Sequence, residues 1–67
     1  MDGLMTNTVN ELRSARGITQ EDLAKAVGVS RQTILAIEKG NYAPSVLLAL
    51  KLSQYFKQPV DRIFSLS

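Results

Sequence analysis

Residues 19–39 read TQEDLAKAVGVSRQTILAIEK. Thr19 stands where its hydroxyl can accept a bond from an orphan amide of a first helical turn, and Asp22, three residues on, completes a short-armed capping box. Leu23, Ala24 and Val27 then fall on one face of a helix of about two turns, which ends at Gly28. Ser30 opens a second helix at Arg31, with Ile34 and Ile37 on its inner face. Ile18 with Leu23, and Val29 with Ile34, have the spacing of hydrophobic staples, each setting the angle at which the chain runs into its helix. Ala24 is small where the two helices come closest. The segment therefore predicts two helices crossing at a steep angle over a three-residue turn, the dimensions of a helix-turn-helix motif.

The same punctuation recurs on both sides. Gly17 and Gly40 follow apolar-periodic stretches, while Thr8, with Glu11 as a capping-box partner, and Ser45 precede them. Five helices are predicted, near 8–16, 20–27, 31–39, 46–57 and 60–64. No stretch alternates long enough to predict a strand, and Pro59 argues against one nearby. The expected class is all-α, a compact five-helix bundle over residues 7–67. Residues 1–6 show no periodicity and are expected to form a loose extension.

Composition narrows the chemistry. The 67 residues contain neither cysteine nor histidine, which excludes disulfides, thiolate nucleophiles, imidazole bases and the usual zinc ligands. No metal and no cofactor are expected. An enzyme is a poor fit, since no acidic pair lies in a cleft-forming context and Lys57, one turn after Ser53, ends an exposed helix. No apolar run approaches the roughly 20 residues of a membrane span, and no leader pattern is visible. A soluble, cytoplasmic protein without membrane contact is expected. The net charge of +2 is too small to identify a partner by itself.

Position says more than net charge. With its apolar residues inward, the 31–39 helix presents Arg31, Gln32, Leu35, Ala36 and Lys39. Arginine pairs with guanine O6 and N7, and glutamine with adenine N6 and N7, so Arg31 and Gln32 suit major-groove base edges. Ser30 and Thr33, with the free amides of the helix start, suit phosphate oxygens, and Gln20 points its amide the same way. Polar residues on an exposed helix are usually only a solvated face. A turn of this length, two staples, a small interhelix residue and an Arg-Gln start are jointly uncommon, and together favour double-stranded DNA as partner.

With LRSARGITQEDLAKAVGVSRQTILAIEKG, the NYAPS turn, LALKLS and the closing VDRIF, the sequence resembles the lambda-repressor-like, or Xre-type, helix-turn-helix family from about Thr8 to Phe64. The resemblance implies a five-helix bundle whose third helix lies in the major groove. It further implies Arg31 and Gln32 as principal base readers with Ala36 one turn on, and Gln20, Lys39 and the amide-rich loop at Asn41 and Tyr42 as phosphate contacts. It also implies an internal ion pair between Arg13 and Glu38. Leu35 and Ala36 occupy sites where that family often has polar residues; either could meet a thymine methyl, the alternative for Leu35 being packing on a neighbour. Leu47 is a further departure, on the usually polar side of its helix.

One recognition helix reads only a few base pairs, so a homodimer on an inverted-repeat operator is expected. Tyr55, Val60, Ile63, Phe64 and Leu66 supply an apolar surplus for an isologous patch. The alternative is that Phe56, Ile63 and Phe64 simply close the bundle. The rival function is an antitoxin or adaptor that grips a protein through Leu35 or Leu47.

Overall fold

A computed structural model describes residues 5–66 as β1 (Met5–Asn7), α1 (Val9–Ala15), α2 (Gln20–Val27), α3 (Arg31–Glu38), α4 (Val46–Phe56), α5 (Val60–Ile63) and β2 (Phe64–Leu66). The helices begin where hydroxyls wait for their amides. Thr19 accepts the Asp22 N–H at 3.0 Å while the Asp22 carboxylate accepts the Thr19 N–H at 3.1 Å, closing the box. Ser30 accepts from Thr33 N–H and Ser45 from Leu48 N–H. Gly28 ends α2 at φ 77°, a left-handed conformation that costs glycine nothing. Lys57 ends α4 the same way at φ 57° and bears the strain of its Cβ.

The core draws on every helix. Val9 comes from α1, Leu23, Ala24 and Val27 from α2, Ile34 and Ile37 from α3, and Leu48, Leu52 and Phe56 from α4. Ile18 and Val29 pack half-buried against this cluster from the two turns, as staple residues should. Arg16 sits over the rings of Tyr55 and Phe56, 5.1 and 5.4 Å from their centroids. No polar side chain is buried without a partner among the described residues.

Four expectations change. The fold is helical but not all-α: β1 and β2 form a two-stranded antiparallel sheet pairing Met5 with Leu66, Thr6 with Ser65 and Asn7 with Phe64. Strands of three residues are too short for alternation to register in a sequence. The predicted loose extension is thereby corrected at Met5 and Thr6, which are strand; residues 1–4 lie outside the described residues. Thr8 makes no capping box with Glu11. Its N–H donates to the Ile63 carbonyl at 2.9 Å and its hydroxyl to the Arg62 carbonyl at 3.2 Å, because it continues the sheet ladder. Asn7 Oδ1 serves α1 instead, accepting from Val9 N–H. Finally, Ile63 and Phe64 are 1% and 9% exposed and close the bundle. Their side chains are core, so of the expected partner patch only Leu66, at 81% exposure, stands fully open, with Tyr55 and Val60 half-buried.

Candidate nucleic-acid interface

Helix α3 is held along its inner face and at both ends. Ile34 and Ile37 are fully buried, and Ser30 fixes the first turn. At the other end a single carboxylate gathers three elements. Glu38 accepts from Arg13 Nε at 2.7 Å and Nη2 at 3.2 Å, from Asn10 Nδ2 at 3.0 Å and from Gln20 Nε2 at 3.1 Å. The Glu38 and Arg13 side chains are 6% and 15% exposed. Burial pushes the Glu38 carboxyl up, but the hydrogen bonds from Arg13, Asn10 and Gln20, with the Arg13 charge, outweigh it and hold the group below the ordinary carboxylate range. Arg13 is correspondingly raised by its hydrogen bond to Glu38. The Asn7 amide adds a last tie, donating to the Ile37 carbonyl at 2.8 Å.

Anchored in this way, α3 leaves its opposite face free. Arg31, Gln32 and Lys39 are exposed and make no side-chain hydrogen bond or ion pair among the described residues. Leu35 and Ala36 are half-buried between them. Arg31 and the first turn of α2, from Thr19 to Glu21, line one open depression of about 470 Å³. The first turn of α2, with the Glu21 side chain, and the Arg31 guanidinium thus border the same space.

Several expected contacts are placed differently. The Gln20 amide is turned inward onto Glu38, so its N–H groups serve the hub. Ser30 Oγ and Thr33 Oγ1 lie 3.1 Å apart and bond each other. Asn41 spends its backbone N–H on the Ala36 carbonyl, finishing α3. Its side chain and Tyr42, 46% exposed, remain at the surface. Sequence reading missed Asn10, whose signal was its position three residues before Arg13 on the same face of α1.

Among the described residues no three acidic groups come together as a metal site. No helix is long and apolar enough to cross a membrane.

Comparison with known proteins finds the same helix-turn-helix motif. A family model described as helix-turn-helix matches residues 9–63. The uncharacterized HTH-type transcriptional regulator YgzD of Bacillus subtilis is 52% identical over 60 residues, covering 90% of this chain and 91% of the relative. The cryptic phage CTXphi transcriptional repressor RstR of Vibrio cholerae is 31% identical over 62 residues, covering 92% of this chain and 56% of that repressor. Among solved structures, the restriction-modification controller protein C.AhdI from Aeromonas hydrophila superposes with a TM-score of 0.73 at 31% identity, covering 81% of this chain and 82% of that one.

Proposed function

The chain belongs to the helix-turn-helix family of transcriptional regulators, of the Xre type, and from that premise we propose that it binds an inverted-repeat operator as a homodimer with α3 in the major groove. The observation that carries this reading is the free first turn of α3, where Arg31 and Gln32 are exposed and uncommitted while the neighbouring Gln20, Ser30 and Thr33 side chains are engaged. Arg31 and Gln32 read base edges, and the half-buried Leu35 and Ala36 offer methyl groups to thymine. Lys39, Tyr42, the Asn41 side chain and the N-terminal turns at Ser30, Thr33 and Gln20 face phosphate. Since Gln20 is bound to Glu38 through its amide nitrogen, its backbone N–H and side-chain carbonyl are what it retains for other partners. One subunit, 32 Å in its longest dimension, presents one recognition helix. Adjacent major grooves on one DNA face lie about 34 Å apart, so two subunits are needed to read two.

Selection of sites from random duplex DNA, followed by titration in graded salt, tests the reading. The expected product is an inverted repeat whose affinity falls steeply with salt, each neutralised phosphate adding about −0.9 to the log–log slope. Arg31→Ala and Gln32→Ala relax preference at particular bases, whereas Lys39→Ala weakens all sequences alike. Equal binding to every duplex, unaltered by the Arg31 and Gln32 substitutions, would refute specific reading.

A second reading, an adaptor or antitoxin that holds a protein, draws on the outer face of α4. There Leu47 is 63% exposed beside Val46 and Leu50. Loss of a stoichiometric partner on Leu47→Glu, with DNA binding intact, would mark that function.

A further inference from the structure

The sheet edge supplies what the buried Ile63 and Phe64 side chains cannot. In an antiparallel pair, residues alternate between those that exchange bonds with the neighbour and those whose N–H and C=O point away from it. Thr8 N–H donates to the Ile63 carbonyl, and the pairing register continues as Asn7 with Phe64, Thr6 with Ser65 and Met5 with Leu66. Thr6 and Ser65 are therefore the bonded pair. The main-chain groups of Asn7 and Met5 point outward from β1, and those of Phe64 and Leu66 outward from β2. The β1 edge runs beside the end of α3: a Cβ on Gly40 would lie 4.0 Å from the Met5 carbonyl, and the Asn7 side-chain amide donates to the Ile37 carbonyl. No third strand covers β2 among the described residues. Phe64 N–H bonds back to the Val60 carbonyl. Among the described residues the Phe64 carbonyl and the Leu66 N–H are left facing out, one acceptor and one donor two residues apart.

That pattern is complementary to itself. We propose that two copies of this chain pair β2 against β2 about a two-fold axis at Ser65, giving a continuous four-stranded sheet β1-β2-β2-β1 across the dimer. This rests on the homodimer reading above and specifies how the dimer is built. In this register Phe64 of each copy lies opposite Leu66 of the other, and each Leu66 N–H donates to the partner's Phe64 carbonyl. Side chains two apart share a face, so Leu66 lies on the side of the sheet where Phe64 is buried, yet it is 81% exposed. A second copy brings its own Phe64 beside that leucine and covers it, joining the two cores at their edges. Ser65, on the opposite face, is small and exposed, and the strand carries no charge to repel its copy. Helix α5, which packs on both α4 and β2, places the half-buried Val60 and Tyr55 on elements adjoining this seam. A free, uncharged edge strand with an apolar side chain is a template for strand addition, and a strand that satisfies itself about a two-fold closes into a dimer.

Leu66→Pro tests the proposal, because it deletes the outward N–H while sparing the inward bonds of Ser65. Sedimentation equilibrium of the full chain is the readout, with far-UV circular dichroism confirming that the variant keeps its helices. Loss of two symmetric bonds is expected to weaken dimerisation about thirtyfold (about 2 kcal/mol). Amide hydrogen exchange gives a second measure: the Leu66 N–H is expected to gain protection as protein concentration rises through the dimer Kd. Leu50→Glu, on the exposed face of α4, is expected to leave the dimer constant unchanged. A wild-type dimer that Leu66→Pro leaves intact, or a Leu66 amide equally unprotected at all concentrations, overturns the strand pairing while keeping the homodimer. A wild-type chain that stays monomeric at every concentration, even on its selected operator, overturns both.

Discussion

Removing the Glu38 carboxylate is expected to destabilise the fold more than removing the arginine that pairs with it. In Glu38→Ala the largely covered Arg13 guanidinium keeps only one acceptor, the Ile18 carbonyl at 2.9 Å from Nη1. In Arg13→Ala the carboxylate still holds two amide donors, Asn10 at 3.0 Å and Gln20 at 3.1 Å. Breaking a fully buried pair costs about 3–5 kcal/mol and an exposed one about 1 kcal/mol or less. With side chains 6% and 15% exposed the pair lies between these limits. Glu38→Ala should then cost about 2–3 kcal/mol and Arg13→Ala about 1–2 kcal/mol. A domain of this size has about 3–10 kcal/mol in all, so the first loss is a large fraction. Urea denaturation followed by circular dichroism reads it, with a slope of about 1 kcal/mol/M moving the midpoint by about 2–3 M. Acid gives an independent arm. Because the folded Glu38 pKa lies below the ordinary value of 4.5, its contribution is present above that value and is lost as pH falls through the depressed one. Asp22 titrates in the same direction, its carboxylate held down by the Thr19 hydrogen bonds. The difference between wild type and Glu38→Gln isolates the hub. A Glu38→Ala cost below that of Arg13→Ala would refute the reasoning.

Two further outcomes concern the helix ends. Lys57→Gly is expected to raise stability by about 0.5–1 kcal/mol in the same denaturation assay, since relief of left-handed strain at φ 57° exceeds the entropy that glycine adds to the unfolded chain. Thr19→Ala should cost about 1 kcal/mol as a lost cap, whereas Thr8→Ala should act on the sheet and leave the helical signal of α1 intact, because Thr8 does not cap that helix.

The helical part of this fold was legible because its signals are local. Thr19, Ser30 and Ser45 each need only a following turn to act on, and the apolar residues of α2 and α3 repeat at a period that a reader can count. Helix boundaries fell within a residue or so of those expected, and the pairing of Arg13 with Glu38 followed from family resemblance. The sheet was not legible because its two strands are three residues long and far apart in the chain, Asn7 pairing with Phe64 and Thr8 continuing the ladder to Ile63. That long-range ladder also explains the two linked errors at the ends of the chain. It took Thr8 away from its cap, and it pulled Ile63 and Phe64 inward from the surface where their hydrophobicity had suggested a partner. The inward turn of Gln20 was invisible for a different reason. An amide at the start of a helix suits a phosphate and a carboxylate equally well, and only the position of Glu38 in space chooses between them.

These facts also connect the two ends of the proposed mechanism. Reading an inverted repeat requires two α3 helices at a fixed separation and tilt, because an error of an ångström or two misplaces Arg31 relative to a base edge. A flexible join between subunits would lose that register. Here α3 ends on the Ile37 carbonyl, which accepts both Gly40 N–H at 2.9 Å and the Asn7 amide at 2.8 Å. Asn7 belongs to β1, β1 pairs with β2, and in the dimer proposed above β2 pairs with its own copy. The path from one recognition helix to the other then runs through hydrogen-bonded main chain and one half-buried Asn7 amide in each subunit, without a loop. On this argument the short sheet matters less for the stability of a subunit than for the geometry between two of them, and the side chain that transmits that geometry is Asn7.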